Sequence, residues 1–352
     1  MTSDSMTRPA HDGIVIGVDT HRDTHTAVAL GPLGGWLGST VIPTTPTGYR
    51  DLVRWAETLG PVRCFGIEGT GMWGAGLARH LLGTGHAVLE VDRPDRSARR
   101  RLGKSDPIDA ESAARQVLAG TATTLPKGGD GIAETLRVLL VTKRGAEKAR
   151  TAAIGQLRSL VATAPADLRA ELDGLRLAGL LERCAAFRPG AGSDPRWATR
   201  LALRTVARRI LALEAELVDT VRELDRLTVV VAPALRGSTG VGPDTAATLI
   251  ATMGDHPDRI DDEAAFAALC GAAPVPASSG VTTRHRLNRG GARQANRALH
   301  VVVLTRMAHD ERTRAYVARR KAQGRTTREI MRCLKRYVAR ELYPLLIAVI
   351  RG

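Results

Sequence analysis

Two short apolar runs near the N-terminus each end in a carboxylate, and this pattern restricts the fold more than any other feature. Residues 14–19 read IVIGVD and end in Asp19, and residues 63–68 read RCFGIE and end in Glu68. A short apolar run followed by turn residues is typical of a buried strand. We therefore predict that two strands deliver Asp19 and Glu68 to the open end of a sheet, where a metal ion can bind.

Residues 12–125 alternate segments of strand and helix character, which predicts an α/β domain. Three strands joined by short links come first, and helices and strands then alternate. This is the order of an RNase H-like fold with a mixed sheet. The predicted strands cover residues 14–19, 26–30, 36–42, 64–68 and 87–91, and the predicted helices cover residues 47–59, 73–82 and 107–119.

Residues 131–232 are predicted to be helical, because apolar residues recur at helical spacing between charged ones. A Pro/Gly-rich stretch at 188–195 divides this region into halves. The second half is either one arm of an intramolecular hairpin or a coiled-coil dimerisation arm, and its sequence fits both. Its apolar stripe comprises Leu201, Val206, Ile210, Leu213, Leu217, Val221, Leu224 and Leu227.

Residues 234–352 are predicted to form a third, mainly helical domain that is rich in glycine and then in arginine. Gly240 and Gly242 precede a helix and resemble the turn of a helix-hairpin-helix, whose backbone N–H groups would hold a phosphate. An ordinary tight turn is the alternative. The last helix is predicted over residues 326–350, with a kink or restart at Pro344.

A second pair of acids opens the third predicted helix. Asp106 is expected at its N-cap, Pro107 at its first position and Asp109 three residues after Asp106, so both carboxylates lie at one helix end. Together with Asp19 and Glu68 they supply the hard oxygen ligands that Mg²⁺, and also Mn²⁺, prefers. Two such ions would clamp the attacking and leaving oxygens of a phosphoryl transfer.

Each acid also has a purely structural explanation. Asp106 would cap its helix, Asp109 would interact with the helix dipole, and Asp19 would bond its own turn. The convergence of strand-end acids in this α/β order favours the metal site. His21 and His25 follow the first strand, and we expect them to orient the site or contact phosphate rather than bind the metal.

Ser278, Ser279 and Gly280 are followed by a dense group of arginines. One of the serines is a candidate nucleophile toward phosphorus, because guanidinium groups stabilise the charge that develops on phosphoryl oxygens. The alternative is a phosphate-binding loop whose serines only donate hydrogen bonds. The arginines are Arg284, Arg286, Arg289, Arg293 and Arg297.

The net charge indicates the partner. Lys and Arg total 51 against 36 Asp and Glu, which gives +15 at pH 7 and a pI of about 10.6. This charge favours nucleic acid, and a charge that serves only solubility is the alternative. The four dispersed cysteines lack CxxC spacing, which argues against a disulfide framework or a zinc ribbon. We expect no membrane span and no signal peptide, and hence a cytoplasmic, nucleoid-associated protein.

These motifs, over about residues 13–310, resemble in order and spacing the DEDD-type, RuvC-like transposases of bacterial insertion sequences. That family is associated with bridge-RNA-guided, serine recombinase-like recombination. The resemblance implies a RuvC-like domain with the tetrad Asp19, Glu68, Asp106 and Asp109, a coiled-coil middle and a C-terminal transposase domain. The implied serine nucleophile maps best to Ser279, with Ser278 as the alternative. The matching segments are residues 17–21, 66–68, 104–110, 240–242, 273–280 and 289–291.

The resemblance also implies partners. They are donor and target DNA, a structured noncoding bridge RNA, and further copies of the chain in a dimer or tetramer where the acidic and serine sites meet across subunits. The sequence departs from many relatives at Ala292, where a polar residue is common. Two other classes fit part of the sequence. A RuvC-like junction nuclease would use the acids to activate water without a serine, and a non-catalytic nucleic-acid-binding protein would need only the arginines.

Overall fold

A computed structural model describes residues 13–91, 105–276, 285–286, 288 and 290–352. Its N-terminal part is the predicted α/β domain, built on a five-stranded mixed sheet of order β3-β2-β1-β4-β5. Strands β1, β2 and β3 are antiparallel neighbours, whereas β4 runs parallel to β1 and β5 parallel to β4. The strands are β1 Ile14–Thr20, β2 Thr24–Leu30, β3 Trp36–Pro43, β4 Val62–Glu68 and β5 Val88–Val91, and the helices are α1 Pro46–Leu59, α2 Ala75–Gly83 and α3 Asp106–Leu118.

Helix α3 lies directly on one face of the sheet because glycines line that face. A Cβ at Gly17 would lie 2.0 Å from the Ala110 carbonyl oxygen, and one at Gly66 would lie 2.6 Å from a Val117 methyl carbon. Helices α1 and α2 cover the other face, where the alternate strand residues are buried. The close approach of α3 brings its first turn to the ends of β1 and β4.

The middle of the chain is an antiparallel pair of long helices, α4 (Ile132–Ala162) and α7 (Pro195–Val231). Arg150 of α4 and Glu214 of α7 form an ion pair with a 2.6 Å N–O distance. The connecting helices α5 (Ala166–Leu172) and α6 (Leu177–Ala185) close the far end with a small apolar core. The chain therefore contains the intramolecular hairpin, which is one of the two arrangements that the sequence allows.

The C-terminal part is mainly helical, and its apolar core includes residues from the near ends of α4 and α7. Asp255 connects the two regions, because its carboxylate accepts hydrogen bonds from the backbone N–H groups of Ala133 and Glu134 at 2.6 and 3.1 Å. The elements are α8 Pro233–Arg236, α9 Pro243–Met253, a 3₁₀ turn Pro257–Arg259, α10 Glu263–Leu269, β6 Val275–Pro276, β7 His285–Arg286, α11 Arg293–His309, α12 Glu311–Ala322 and α13 Thr327–Arg351.

Helix α13 passes through Pro344 without restarting, so the restart is wrong and the alternative, a kink, stays a prediction. Proline removes one backbone hydrogen bond, but Leu342 and Leu346 on either side are fully buried. Burial of this apolar face offsets the local cost of the proline. All four cysteines are free thiols. Within the described ranges, we find no helix that is both long and apolar enough to cross a membrane.

Candidate functional site

Asp19, His21 and Asp106 meet at the C-terminal edge of β1. The His21 Nε2 atom lies 3.2 Å from Asp19 Oδ2 and 3.3 Å from Asp106 Oδ1. Asp19 is buried, whereas the other two side chains are about half exposed. One potential ligand atom from each residue lies within 4.8 Å of the others, and no other group in the described ranges is spaced in this way for a metal ion.

Glu68 lies at the same edge of the sheet and Asp109 lies in the first turn of α3, but neither belongs to this closest group. Val18 pairs with Ile67 in the parallel register of β1 and β4, so Asp19 and Glu68 both occupy the next position. Glu68 alternates with Gly66 and therefore faces α3. Asp109 is 4% exposed in the first turn of α3. The structure thus brings Asp19 and Asp106 to one histidine, and the participation of Glu68 and Asp109 in the same site stays a prediction.

Helix α3 begins one residue earlier than predicted. Ser105 is its N-cap residue and Asp106 lies in the first turn, so the expected N-cap position of Asp106 is wrong. The Asp106 carboxylate instead contacts His21 across the gap between α3 and the sheet. This contact disfavours capping as the sole role of Asp106.

His21 contacts both carboxylates, which fits the predicted orienting role. Its imidazole lies between two carboxylates, where it is placed to be a ligand as well as an orienting group. The available signal was the spacing of Asp19 and His21, because alternate residues of an extended chain share one face.

His25 is buried, which excludes the predicted contact with phosphate, whereas its predicted role in orienting the site stays a prediction. Its side chain is fully buried on the α1 side of the sheet and stacks on Tyr49, with ring centroids 6.0 Å apart and planes within 6°. Burial lowers the pKa of His25 below its ordinary value of 6.5. The imidazole is therefore a neutral core group, and its charged form opposes folding.

We expect His25→Phe to reduce the acid sensitivity of the fold. Below pH 6.5 the unfolded chain binds a proton at His25 more readily than the folded chain, so stability falls with falling pH until the folded-state pKa is passed. Phenylalanine removes this contribution and keeps an aromatic ring against Tyr49. Melting temperatures measured above and below pH 6.5 check the prediction, and equal pH slopes for both proteins would contradict it.

The described part of the serine region is a two-stranded ribbon in which β6 pairs with β7. Ser278, Ser279, Arg284 and Arg289 lie outside the described residues. Arg286 lies on β7 and lines a cavity of about 750 Å³. Arg293 is the first residue of α11 and lines a neighbouring cavity of about 600 Å³, together with Arg297.

The turn around Gly240 and Gly242 precedes α9, as the sequence predicts. Gly240 has a φ of +84°, and a Cβ there would lie 3.1 Å from the Val302 carbonyl oxygen, so the position requires glycine. The first turn of α9 also contains Asp244, whose carboxylate lies 3.0 Å from the Lys143 ammonium. The negative charge of Asp244 therefore already interacts with the positive N-terminal end of the α9 dipole. Phosphate binding at this turn stays a prediction.

Two family models match the chain, one over the acidic site and one over the glycine turn and serine region. A DEDD transposase model of the IS110 type matches residues 16–164, which contain all four acids. A model described as Transposase IS116/IS110/IS902 family matches residues 232–318, which contain the glycine turn and the serine region. Together they cover about two thirds of the chain.

A curated relative gives the same indication. The 43.6 kDa protein of insertion element IS110 from Streptomyces coelicolor is 35% identical to this chain over 121 residues. The alignment covers 34% of this chain and 28% of the relative. Residues 16–164 therefore match a DEDD transposase domain of the IS110 type, and residues 232–318 match a transposase domain of the IS116/IS110/IS902 family.

Proposed function

We propose that this protein is a DNA transposase that cleaves and exchanges strands during movement of an insertion sequence. The observation that carries this proposal is the meeting of Asp19, His21 and Asp106 at a sheet edge that also carries Glu68, within a region that matches a DEDD transposase domain. The strongly basic composition supports a nucleic-acid substrate. We further propose that it acts in the cytoplasm, at the nucleoid.

A DEDD transposase domain implies a divalent metal. The donor set fits such an ion, because oxygen ligands dominate and Asp19 and Asp106 already lie close enough to share one. Asp19, Glu68, Asp106 and Asp109 would hold the metal, with Mg²⁺ as our first choice and Mn²⁺ as the second. The bound ion would supply positive charge beside the scissile phosphate.

Different side chains would have different roles in the reaction. The acids would hold the metal beside the reacting phosphodiester, and His21 contacts both Asp19 and Asp106 and would keep them oriented toward each other. We propose that the Ser279 hydroxyl attacks phosphorus. A Ser279 oxygen–phosphorus bond forms, one phosphorus–oxygen bond of the DNA breaks, and the serine proton passes to solvent while the departing sugar oxygen gains one. The reverse reaction, by a different sugar hydroxyl, reseals the strands.

The partners belong to the same proposal. Donor and target DNA would bind the basic C-terminal domain, where Gly240, Gly242, Arg284, Arg286, Arg289 and Arg293 are the proposed nucleic-acid contacts. The family resemblance supports a bridge RNA that pairs with both DNAs. Sequencing RNA that copurifies with the tagged protein tests this part, because the RNA should map to the noncoding DNA flanking the gene.

We also propose that the protein works as a dimer or tetramer. Leu211 and Val218 of α7 are 41% and 58% exposed, and their spacing of seven residues places them on one outer face of the hairpin. Leu213 and Leu217 are less exposed than this pair, so charged groups there would also disturb the hairpin.

Changing Leu211 and Val218 together to Glu should lower the average mass in solution toward that of a monomer. The outward position of both side chains should leave the fold intact, because charge there faces solvent in the monomer. Light scattering at low protein concentration measures the mass, and a melting curve controls for folding. An unchanged oligomeric mass would remove this face from the assembly.

The function itself is tested by moving a marked element. The gene and its flanking DNA are placed around a resistance marker on a donor plasmid, and insertions into a target plasmid are counted. We expect insertions that disappear when the gene is deleted and return when the protein is supplied separately. A protein that never supports insertion, yet cuts branched DNA to leave free ends, would be a junction nuclease instead.

A further inference from the structure

Lys335 is a buried cation on α13 without an acidic partner in the described structure. The residue is 9% exposed, and its Nζ atom donates a 2.8 Å hydrogen bond to Asn296 Oδ1. The Asn296 amide nitrogen in turn donates to the carbonyl oxygens of Cys270 and Gly271, at 2.8 and 3.1 Å. Among the described residues, no carboxylate lies within 4.0 Å of the Lys335 ammonium, whereas Lys143, a similarly buried lysine, pairs with two.

Two cavities share Lys335 and Gly271 in their walls, with volumes of about 750 and 600 Å³. Both contain more cations than anions. The smaller cavity contains no carboxylate among its described lining residues, and Glu329 is the one described carboxylate in the larger. The additional cations of the two walls are Arg286, Arg293, Arg297, Arg320, Arg325, Arg332 and Arg336.

Part of this charge is already neutralised. Arg336 pairs with Glu263, whose Oε1 atom accepts at 2.9 Å, and Arg325 lies 3.6 Å from Glu329. Lys335 and Arg332 have no such ion pair among the described residues. The other lining arginines Arg286, Arg293, Arg297 and Arg320 also lack an ion pair among the described residues. Lys335 differs from these arginines and from Arg332 because it alone is buried.

Holding Lys335 in this position costs stability. Burial lowers its pKa, and the positive charge of Arg332 lowers it further. Because the folded state disfavours the ammonium form, the penalty is present at neutral pH and is relieved only as pH rises toward the ordinary lysine pKa of 10.5. A buried charge that weakens the fold is typical of a site that binds a counter-charge.

We propose that Lys335 is the central contact of a DNA-phosphate site, with Arg332 beside it and Asn296 as the positioning residue that fixes the ammonium. This inference rests on the proposed function and deepens it by naming where the DNA backbone lies. The ligand is a phosphodiester chain rather than one small anion, because the cations extend through two cavities. Arg286 of β7 lines the larger cavity, so the two cavities lie beside the two-stranded ribbon of β6 and β7.

The test uses Lys335→Met, which keeps the length and packing of the side chain and removes its charge. Binding of a fluorescent random-sequence DNA duplex is measured by anisotropy at several salt concentrations. We expect affinity to fall about tenfold to a hundredfold, as for loss of a charged hydrogen bond. The slope of log affinity against log salt should fall by about one. Lys148→Met is the matched control, since Lys148 is an exposed lysine of α4 and its loss should leave the slope unchanged.

Arg332→Gln keeps the inference testable if the buried variant does not fold, because Arg332 is exposed. It should also lower the salt slope by about one. Slopes that equal the wild-type value in every folded variant would overturn the inference, as would a loss of affinity confined to single-stranded RNA in a parallel titration. These outcomes leave the transposase proposal standing, whereas a wild-type protein that binds no DNA would contradict the transposase proposal itself.

Discussion

Replacing Asp19 by Asn should abolish transposition while leaving DNA binding close to wild type. The amide keeps the shape of the side chain but removes the charge that would hold a cation between β1 and α3. Loss of one such electrostatic group lowers a reaction rate on the order of a thousandfold. DNA affinity should survive, because the basic cleft lies in the C-terminal domain. Counting insertions of the marked element, alongside anisotropy with labelled duplex, measures both quantities.

Two further variants sharpen this prediction. Glu68→Gln should behave like Asp19→Asn, since Glu68 occupies the matching position at the end of β4. Asp23→Asn is the control, because Asp23 is an exposed acid in the turn between β1 and β2 and lies outside the cluster. Normal insertion by Asp19→Asn, or an equal loss in Asp23→Asn, would remove the acidic site from the mechanism.

Replacing Ser279 by Ala should prevent any covalent link between protein and DNA. A serine nucleophile keeps the energy of the phosphodiester in a reversible protein–DNA bond, whereas a hydrolytic nuclease releases free ends. Alanine removes the attacking oxygen and leaves the neighbouring arginines in place. Mass spectrometry of protease-digested reaction products should therefore find a nucleotide on the Ser279 peptide of the wild type and none in the variant.

Ser278→Ala is the matched control for this prediction and should still form the adduct. If the adduct disappears in Ser278→Ala and persists in Ser279→Ala, the neighbouring serine is the nucleophile. Metal-dependent cleavage without an adduct in any protein would favour the junction nuclease, which needs the same acids and no serine.

The sheet and its acids are readable from the sequence because their signals are local. The buried runs that end in Asp19 and Glu68 predict β1 and β4, and the resulting parallel pair places both acids at one edge. Gly17 and Gly66 explain why α3 can lie close enough for Asp106 to approach Asp19 and His21.

Features that depend on contacts between residues far apart in the sequence could not be predicted from it. His25 follows the same strand turn as His21, but only the folded sheet shows that it faces Tyr49 instead of the acids. The stripe of α7 has the same period whether it packs on α4 or on a second chain. In the sequence, Lys335 lies among arginines, a pattern that suggests a solvent-exposed helix face. Only the fold shows that it is buried and bonded to Asn296 of α11.

The most direct measurement is strand cleavage by the purified protein on end-labelled DNA taken from the flanks of its gene, with its copurifying RNA. Reactions contain Mg²⁺ or Mn²⁺, with and without a chelator, and the products are separated under denaturing conditions. We predict a labelled protein band for the wild type that requires metal and is absent from Asp19→Asn. Cleavage that continues in chelator, or that Asp19→Asn performs at the wild-type rate, would contradict a metal-dependent site at the edge of β1 and β4.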